Sequence, residues 1–283
     1  MRFPLSKIEI LAMDKQDFSN IQLRNNVNVL GNLNGPTLIL AHGFGCDQNM
    51  WRSMLPGLLE SYRIVLFDYV GSGNSTLAYY STEKYSQLEG YAQDVIDIID
   101  ELSLKDVTII AHSVSATIAA IASISAPETI KKIIMVCPSP CFLNQAPDYN
   151  GGFERHDLEE LLDLMDKNYI GWANYLAPLL IGNADSPELV GELSGSFCST
   201  DPIVAKTFAK TTFLCDYRHI LSNLTCDTLI LQSAYDNLAS VEVGQYMHDN
   251  IANNKIEVVE AQGHCLHMTH PKEITPLILN FLE

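Results

Sequence analysis

A serine hydroxyl attacks a carbonyl only when a histidine takes its proton and a carboxylate holds that histidine. Three residues far apart in this 283-residue chain have the types and the order for that work. Ser113 ends the run Val107-Thr-Ile-Ile-Ala-His-Ser and has Ala111 and Ser115 two positions to either side. The pattern predicts a sharp strand-to-helix elbow, where small neighbours let the two backbones approach and the hydroxyl is held outward. Asp236, in Gln232-Ser-Ala-Tyr-Asp-Asn-Leu, and His264, in Gln262-Gly-His-Cys, each follow an apolar strand signal. The expected roles are Ser113 as nucleophile, His264 as base and then acid, and Asp236 as the group that fixes the useful imidazole tautomer. Asp68, Asp201 and Asp216 are rival acids, but Asp68 follows an early strand and Asp201 precedes a proline at a helix start. A tetrahedral oxyanion needs preorganised donors. The expected pair is the N–H of Val114, just after the nucleophile, and the N–H of Phe44 in His42-Gly-Phe-Gly45.

The elements that must carry these residues follow from periodicity. Val27–Leu30 and Thr37–Ala41 flank the turn cluster Asn32-Leu-Asn-Gly-Pro36 and predict an opening hairpin. Arg63–Phe67, Val107–Ile110, Lys132–Cys137, Thr228–Gln232 and Ile256–Glu260 are mostly continuous apolar runs, as expected of parallel strands covered on both faces. Helical patterns at Met50–Leu59, Gln87–Leu102, Val114–Ser125, Val241–Ala252 and Pro271–Leu282 alternate with them, which predicts a doubly wound, mostly parallel α/β sheet. Between Cys137 and about Asn223 the strand signal stops, and Asp157–Lys167, Ile170–Ile181, Pro187–Ser196 and Asp201–Leu214 read as helices. The expected division is an N-terminal extension over 1–20, a core over 21–137 and 224–283, and an inserted helical cap over 138–223.

Large apolar residues in the inserted block, namely Phe142, Phe153, Trp172, Leu176, Phe208 and Phe213, are candidates to close over Ser113 and form a dry pocket for a small apolar substrate. The acidic run from Glu154 through Asp157, Glu159, Glu160 and Asp163 to Asp166 reads as a solvated helix face or a surface for a partner. Gly71-Ser-Gly-Asn-Ser-Thr76 has Thr76 where a dinucleotide fingerprint needs a third small residue, so it reads as a structural loop. His264-Cys-Leu-His267 with His270 lacks a second ligand group at matching spacing, so no metal or other cofactor is expected.

Composition bounds the partners. Hydrophobic residues at 47% and charged residues at 18% exclude disordered and fibrous classes. The net charge of −17 opposes phosphate backbones and anionic lipid surfaces, so neither nucleic acid nor a membrane is an expected partner. Seven cysteines without paired spacing point to reduced thiols. Charge interrupts the first ten residues, so no signal peptide or span is expected and the reading is cytoplasmic.

Several segments together resemble a known family. They are His42-Gly-Phe-Gly-Cys-Asp-Gln, Leu66-Phe-Asp-Tyr-Val-Gly-Ser-Gly73, Gly90-Tyr-Ala-Gln-Asp-Val95, His112-Ser-Val, Pro138-Ser-Pro-Cys141, Gly151-Gly-Phe-Glu154, Lys167-Asn-Tyr-Ile-Gly-Trp172, Phe197-Cys-Ser-Thr-Asp-Pro202 and Gly263-His-Cys265. The set, spanning about residues 21–283, resembles the RsbQ-like α/β-hydrolases, bacterial stress-response regulators related to the plant karrikin and strigolactone receptor hydrolases. The resemblance implies an α/β-hydrolase core with a helical cap, the triad Ser113, Asp236 and His264, and the oxyanion donors Phe44 and Val114. It also implies a pocket for a small ester- or lactone-like ligand lined by Phe142, Phe153 and Phe213. A partner phosphatase in energy-stress signalling is the role it implies for the bacterial members. Ala111 departs from the usual first glycine of the elbow and is tolerated if its backbone avoids positive φ.

Overall fold

The apolar runs assemble into one seven-stranded sheet in the computed structural model, which describes residues 19–182 and 186–283. The strands are β1 (Asn28–Gly31), β2 (Thr37–Ala41), β3 (Arg63–Leu66), β4 (Val107–His112), β5 (Ile130–Val136), β6 (Asp227–Tyr235) and β7 (Asn254–Gln262). Their order is β1-β3-β2-β4-β5-β6-β7, with β1 antiparallel to β3 and every other pair parallel. β2 and β4 are buried along their whole length, as strands covered on both faces must be. The edge strand β7 instead exposes about every second residue of its first half.

The expected hairpin does not form. β3 lies between β1 and β2, pairing Val29 with Val65 on one side and Ile39 with Val65 on the other. The Asn32 N–H donates to the carbonyls of Leu59 and Tyr62, so the chain leaving β1 is tied to the segment that enters β3. The apolar residues Ile64, Val65 and Leu66 are fully buried by this insertion. The predicted helix over Met50–Leu59 is also replaced, by two short 3-10 turns at Gln48–Trp51 and Leu55–Gly57. Pro56 lacks the N–H that an α-helix would use there, and Gly57 weakens continuation.

The remaining helices are α1 (Ser19–Asn25), α2 (Thr82–Tyr85), α3 (Leu88–Glu101), α4 (Val114–Ser125), α5 (Arg155–Lys167), α6 (Tyr169–Ile181), α7 (Pro187–Ser199), α8 (Pro202–Phe213), α9 (Val241–Asn250), α10 (Leu266–Thr269) and α11 (Pro271–Leu282). α3 shows why they pack: Leu88, Tyr91, Ala92, Val95, Ile98 and Ile99 recur at helical spacing and are all buried. α4 is buried along most of its length, and its alanines and serines allow it to lie close to the sheet. α5 to α8 follow one another between β5 and β6, with no sheet strand among the described residues there. Most of the N-terminal extension, residues 1–18, lies outside the described residues.

Candidate active site

β4 ends at His112 and α4 begins at Val114, so Ser113 alone makes the turn, at φ +56° and ψ −125°. That conformation is unfavourable for a residue with a Cβ and persists only where neighbours hold it. The Ser113 N–H donates to the Val136 carbonyl at 2.9 Å, which anchors the elbow to β5. The Ser115 hydroxyl donates to the His42 carbonyl and lies 3.0 Å from the Tyr69 hydroxyl, which ties the elbow to the loop after β2. Ala111 sits within β4 and outside the positive-φ region, so the missing glycine costs nothing there.

The three side chains meet. Ser113 Oγ lies 2.8 Å from His264 Nε2, and His264 Nδ1 lies 2.7 Å from Asp236 Oδ2. With the Nδ1 proton directed at Asp236, Nε2 is free to accept the hydroxyl proton. The second carboxylate oxygen accepts the N–H groups of Leu238 at 2.8 Å and Ala239 at 3.1 Å, so Asp236 is fixed by its own loop. The His264 N–H donates to the Leu180 carbonyl at 2.7 Å, and its carbonyl accepts from His112 Nε2 at 2.9 Å. The His264 backbone is therefore held between the C-terminal end of α6 and β4. The Asp236 and His264 side chains are almost wholly shielded from solvent, where their electrostatic interactions are least screened.

Val114 directly follows Ser113, and Phe44 lines the same cavity as Ser113. The Val114 N–H opens a helix and so has no intrahelical acceptor. Phe44 is held by rings from three inserted helices: Trp172 of α6 at 5.9 Å, Phe197 of α7 at 6.1 Å, and Phe208 and Phe213 of α8 at 5.5 and 5.7 Å between centroids. Next to it, Gly45 is at φ +70°, and a Cβ there would lie 2.1 Å from the Phe197 ring. Only glycine lets the loop and α7 come together. His42 accepts the Tyr69 N–H through Nε2, and burial pushes its pKa below the ordinary value, so it serves the loop as a neutral ring.

A cavity opens on Ser113 and His264. Its apolar wall comprises Phe44, Leu176, Leu180, Leu193, Phe213 and Leu238. Cys46, Cys265, His112 and Thr212 complete it. Of the six residues expected from sequence to close over Ser113, Leu176 and Phe213 therefore line the cavity, whereas Phe142, Phe153, Trp172 and Phe208 do not. Phe142 packs behind Phe213 at 5.5 Å, and Trp172 packs behind Phe44. Phe153 bridges to Leu143 in the segment after β5 and is half-buried. Aromatic character marks burial, and the helix rotation decides whether that burial faces ligand or protein. Leu180, Leu193, Thr212 and Leu238 were not distinguishable in the sequence from other core positions.

The rival acids have other duties. Asp68 accepts the N–H groups of Gln48 and Asn74 at 2.9 Å each and so organises the glycine-rich loop; Asp201 caps α8; Asp216 pairs with Arg218. Cys137 lies within 4.8 Å of the Asp236 and His264 ligand atoms. Burial raises its pKa well above the ordinary thiol value, and both His264 nitrogens are engaged, so the trio offers an ion little. The acidic residues Glu154 to Asp166 are exposed, with Asp163 paired to Lys167 and Asp166 to Lys206.

An elbow serine after β4 of a mostly parallel sheet, with its acid after β6 and its histidine after β7, defines the α/β-hydrolase class. This chain belongs to that family: the profile described as alpha/beta hydrolase fold matches residues 36–271. The karrikin insensitive 2 receptor CA of Petunia hybrida is 37% identical to it over 264 residues, covering 93% of this chain and 97% of the receptor. The strigolactone esterase of Arabidopsis thaliana is 34% identical over 260 residues, covering 92% of this chain and 96% of that protein. Among solved structures, a hydrolase from Oleispira antarctica is similar with a TM-score of 0.91 at 60% identity, covering 93% of this chain and 96% of the other.

Proposed function

We propose that the protein is a serine hydrolase that cleaves a small, apolar ester- or lactone-like compound through an acyl-enzyme. The observation that carries this reading is the continuous Ser113–His264–Asp236 hydrogen-bond chain, at 2.8 and 2.7 Å, opening into an apolar cavity. Ser113 Oγ attacks the carbonyl carbon while His264 Nε2 takes its proton, and the oxyanion is met by the N–H groups of Phe44 and Val114. His264 returns the proton to the leaving oxygen as the C–O bond breaks. A water, deprotonated by the same nitrogen, then attacks the acyl carbon and releases the acid and Ser113. In a lactone the leaving alcohol stays attached to the acyl chain. These steps draw on side chains, backbone N–H groups and water alone. The helices over 138–223 act as the cap that excludes bulk water from a core formed by 21–137 and 224–283. With p-nitrophenyl acetate as reporter, Ser113→Ala lowers kcat by about 10⁴-fold or more. Activity within a few fold of the unmodified protein would refute the reading.

A second role for the same site is favoured by the similarity to a protein named a receptor. Slow turnover would change the cap so that its acidic face recruits a partner phosphatase in stress signalling, as in the RsbQ-like group. Ligand-dependent capture of a phosphatase tests this, and no capture with or without ligand counts against it. All seven cysteines are free, which supports a reducing, cytoplasmic location. No helix among the described residues is long and apolar enough to cross a membrane.

A further inference from the structure

Apart from the reacting groups, two residues on the cavity lining, Thr212 and His112, carry a buried polar atom without a hydrogen-bond partner. Thr212, on α8, is 1% exposed and lines the same cavity as Ser113 and His264, yet its Oγ1 has no partner. Its neighbours on the helix behave otherwise. Thr207 Oγ1 donates to the Ile203 carbonyl at 3.0 Å and Thr211 Oγ1 to the Thr207 carbonyl at 2.9 Å, the usual way for a helical threonine to satisfy its hydroxyl. Thr212 makes no such bond. A buried hydroxyl without a partner is costly, and an alkyl side chain of the same shape would line an apolar cavity better. The other unpartnered polar atom on the lining, His112 Nδ1, is placed differently. A Cβ at position 43 would lie 2.5 Å from it, so it faces the His42–Gly45 loop.

We propose that Thr212 is the specificity-determining residue of this site. Its hydroxyl donates to a second oxygen on the substrate, one that is not part of the scissile ester group. This rests on the hydrolase reading above and narrows its substrate class to small esters or lactones that carry an additional ether, carbonyl or hydroxyl oxygen. An apolar wall contributes little discrimination between analogues of one shape. A single buried donor contributes much more, because it is left unpaired by the analogue that lacks its acceptor.

Two matched pairs of esters test it, each differing by an oxygen in place of a methylene. p-Nitrophenyl methoxyacetate against p-nitrophenyl butyrate puts the oxygen on the acyl side, and 2-methoxyethyl acetate against butyl acetate puts it on the alcohol side. The readout is the ratio of kcat/KM within a pair, compared between the unmodified protein and Thr212→Val, so intrinsic reactivity and any loss common to both esters cancel. Thr212→Val lowers the ratio about fivefold or more in at least one pair, and Thr212→Ser, which keeps the hydroxyl, restores it. The same esters are titrated calorimetrically into Ser113→Ala with and without Thr212→Val, which reads the contact without turnover. A preference for the oxygen-bearing ester that is unchanged by Thr212→Val in both assays overturns the proposal. If the unmodified protein hydrolyses none of the four, the hydrolase reading falls. The calorimetric preference then decides the Thr212 contact by itself.

Discussion

Ser113 is held in a backbone conformation that few residues with a Cβ adopt, and the bonds from its N–H to the Val136 carbonyl and from the Ser115 hydroxyl to the His42 carbonyl show what holds it. The same economy governs Asp236, whose two oxygens divide between one imidazole and two backbone N–H groups. Replacing it with asparagine keeps the shape of that loop but presents an amide that can donate as well as accept, which favours the wrong imidazole tautomer. Asp236→Asn is therefore expected to lower kcat by about 10⁴-fold, with KM changed little. Steady-state kinetics with a p-nitrophenyl ester measures this, and a loss under tenfold would mean that Asp236 does not orient His264. At this scale the triad was legible because three rare coincidences had to hold together: the small-residue elbow, the chain order and the strand-end placement. Thr212 was not legible. A threonine among apolar residues on a helix has no sequence mark that tells a cavity-facing hydroxyl from one bonded to the preceding turn.

Among the elements, α6 does the most to connect the inserted helices with the reaction centre. It ends at Gly182, at φ +70°, and the Leu180 carbonyl of its last turn receives the His264 N–H. A Cβ on Gly182 would lie 2.4 Å from the Gly263 nitrogen, a backbone atom that cannot swing aside. Gly182→Ala is expected to cost about 1–3 kcal/mol of stability and to lower kcat at least tenfold by displacing His264. Gly191 of α7 is the control, since nothing lies within 4 Å of a Cβ built there. Gly191→Ala should raise stability by about 0.5–1 kcal/mol with activity unchanged. Urea denaturation and kcat on both variants check the pair, and equal behaviour would refute the role given to the α6 terminus. Most helices were readable from apolar periodicity. The misplaced hairpin shows the limit of that reading, because periodicity identifies a strand but not its neighbour. The expected Met50–Leu59 helix was wrong for a local reason, Pro56, that the apolar pattern masked.

Over the whole molecule, the buried histidines make folding sensitive to acid. Burial depresses the pKa values of His42 and His112, and pushes His267 down to about 3 from an ordinary 6.5. His267 packs against Trp51 at 4.6 Å and His112 at 4.3 Å between ring centroids. Above pH 6.5 each ring is neutral folded or unfolded and adds no pH dependence. As the pH falls below 6.5 the unfolded chain takes up protons that the folded core refuses, so stability drops, and for His267 the loss levels off only near pH 3. Each such group adds a slope of up to about 1.4 kcal/mol per pH unit. His267→Phe, which retains the ring contacts, should therefore flatten the fall in urea midpoint on acidification. An unchanged slope would show that His267 titrates normally in the fold.

What the sequence determined by itself was local in origin: the doubly wound class, from alternating strand and helix periods; the elbow, from small residues around a serine; and the candidate triad, from order along the chain. The tertiary structure alone decided which strand enters beside β1 and which inserted residues face the cavity. It alone left Thr212 Oγ1 without a partner. Periodicity describes how one segment divides its surface between core and water, whereas strand neighbours and helix rotation are settled by packing among segments far apart in the chain.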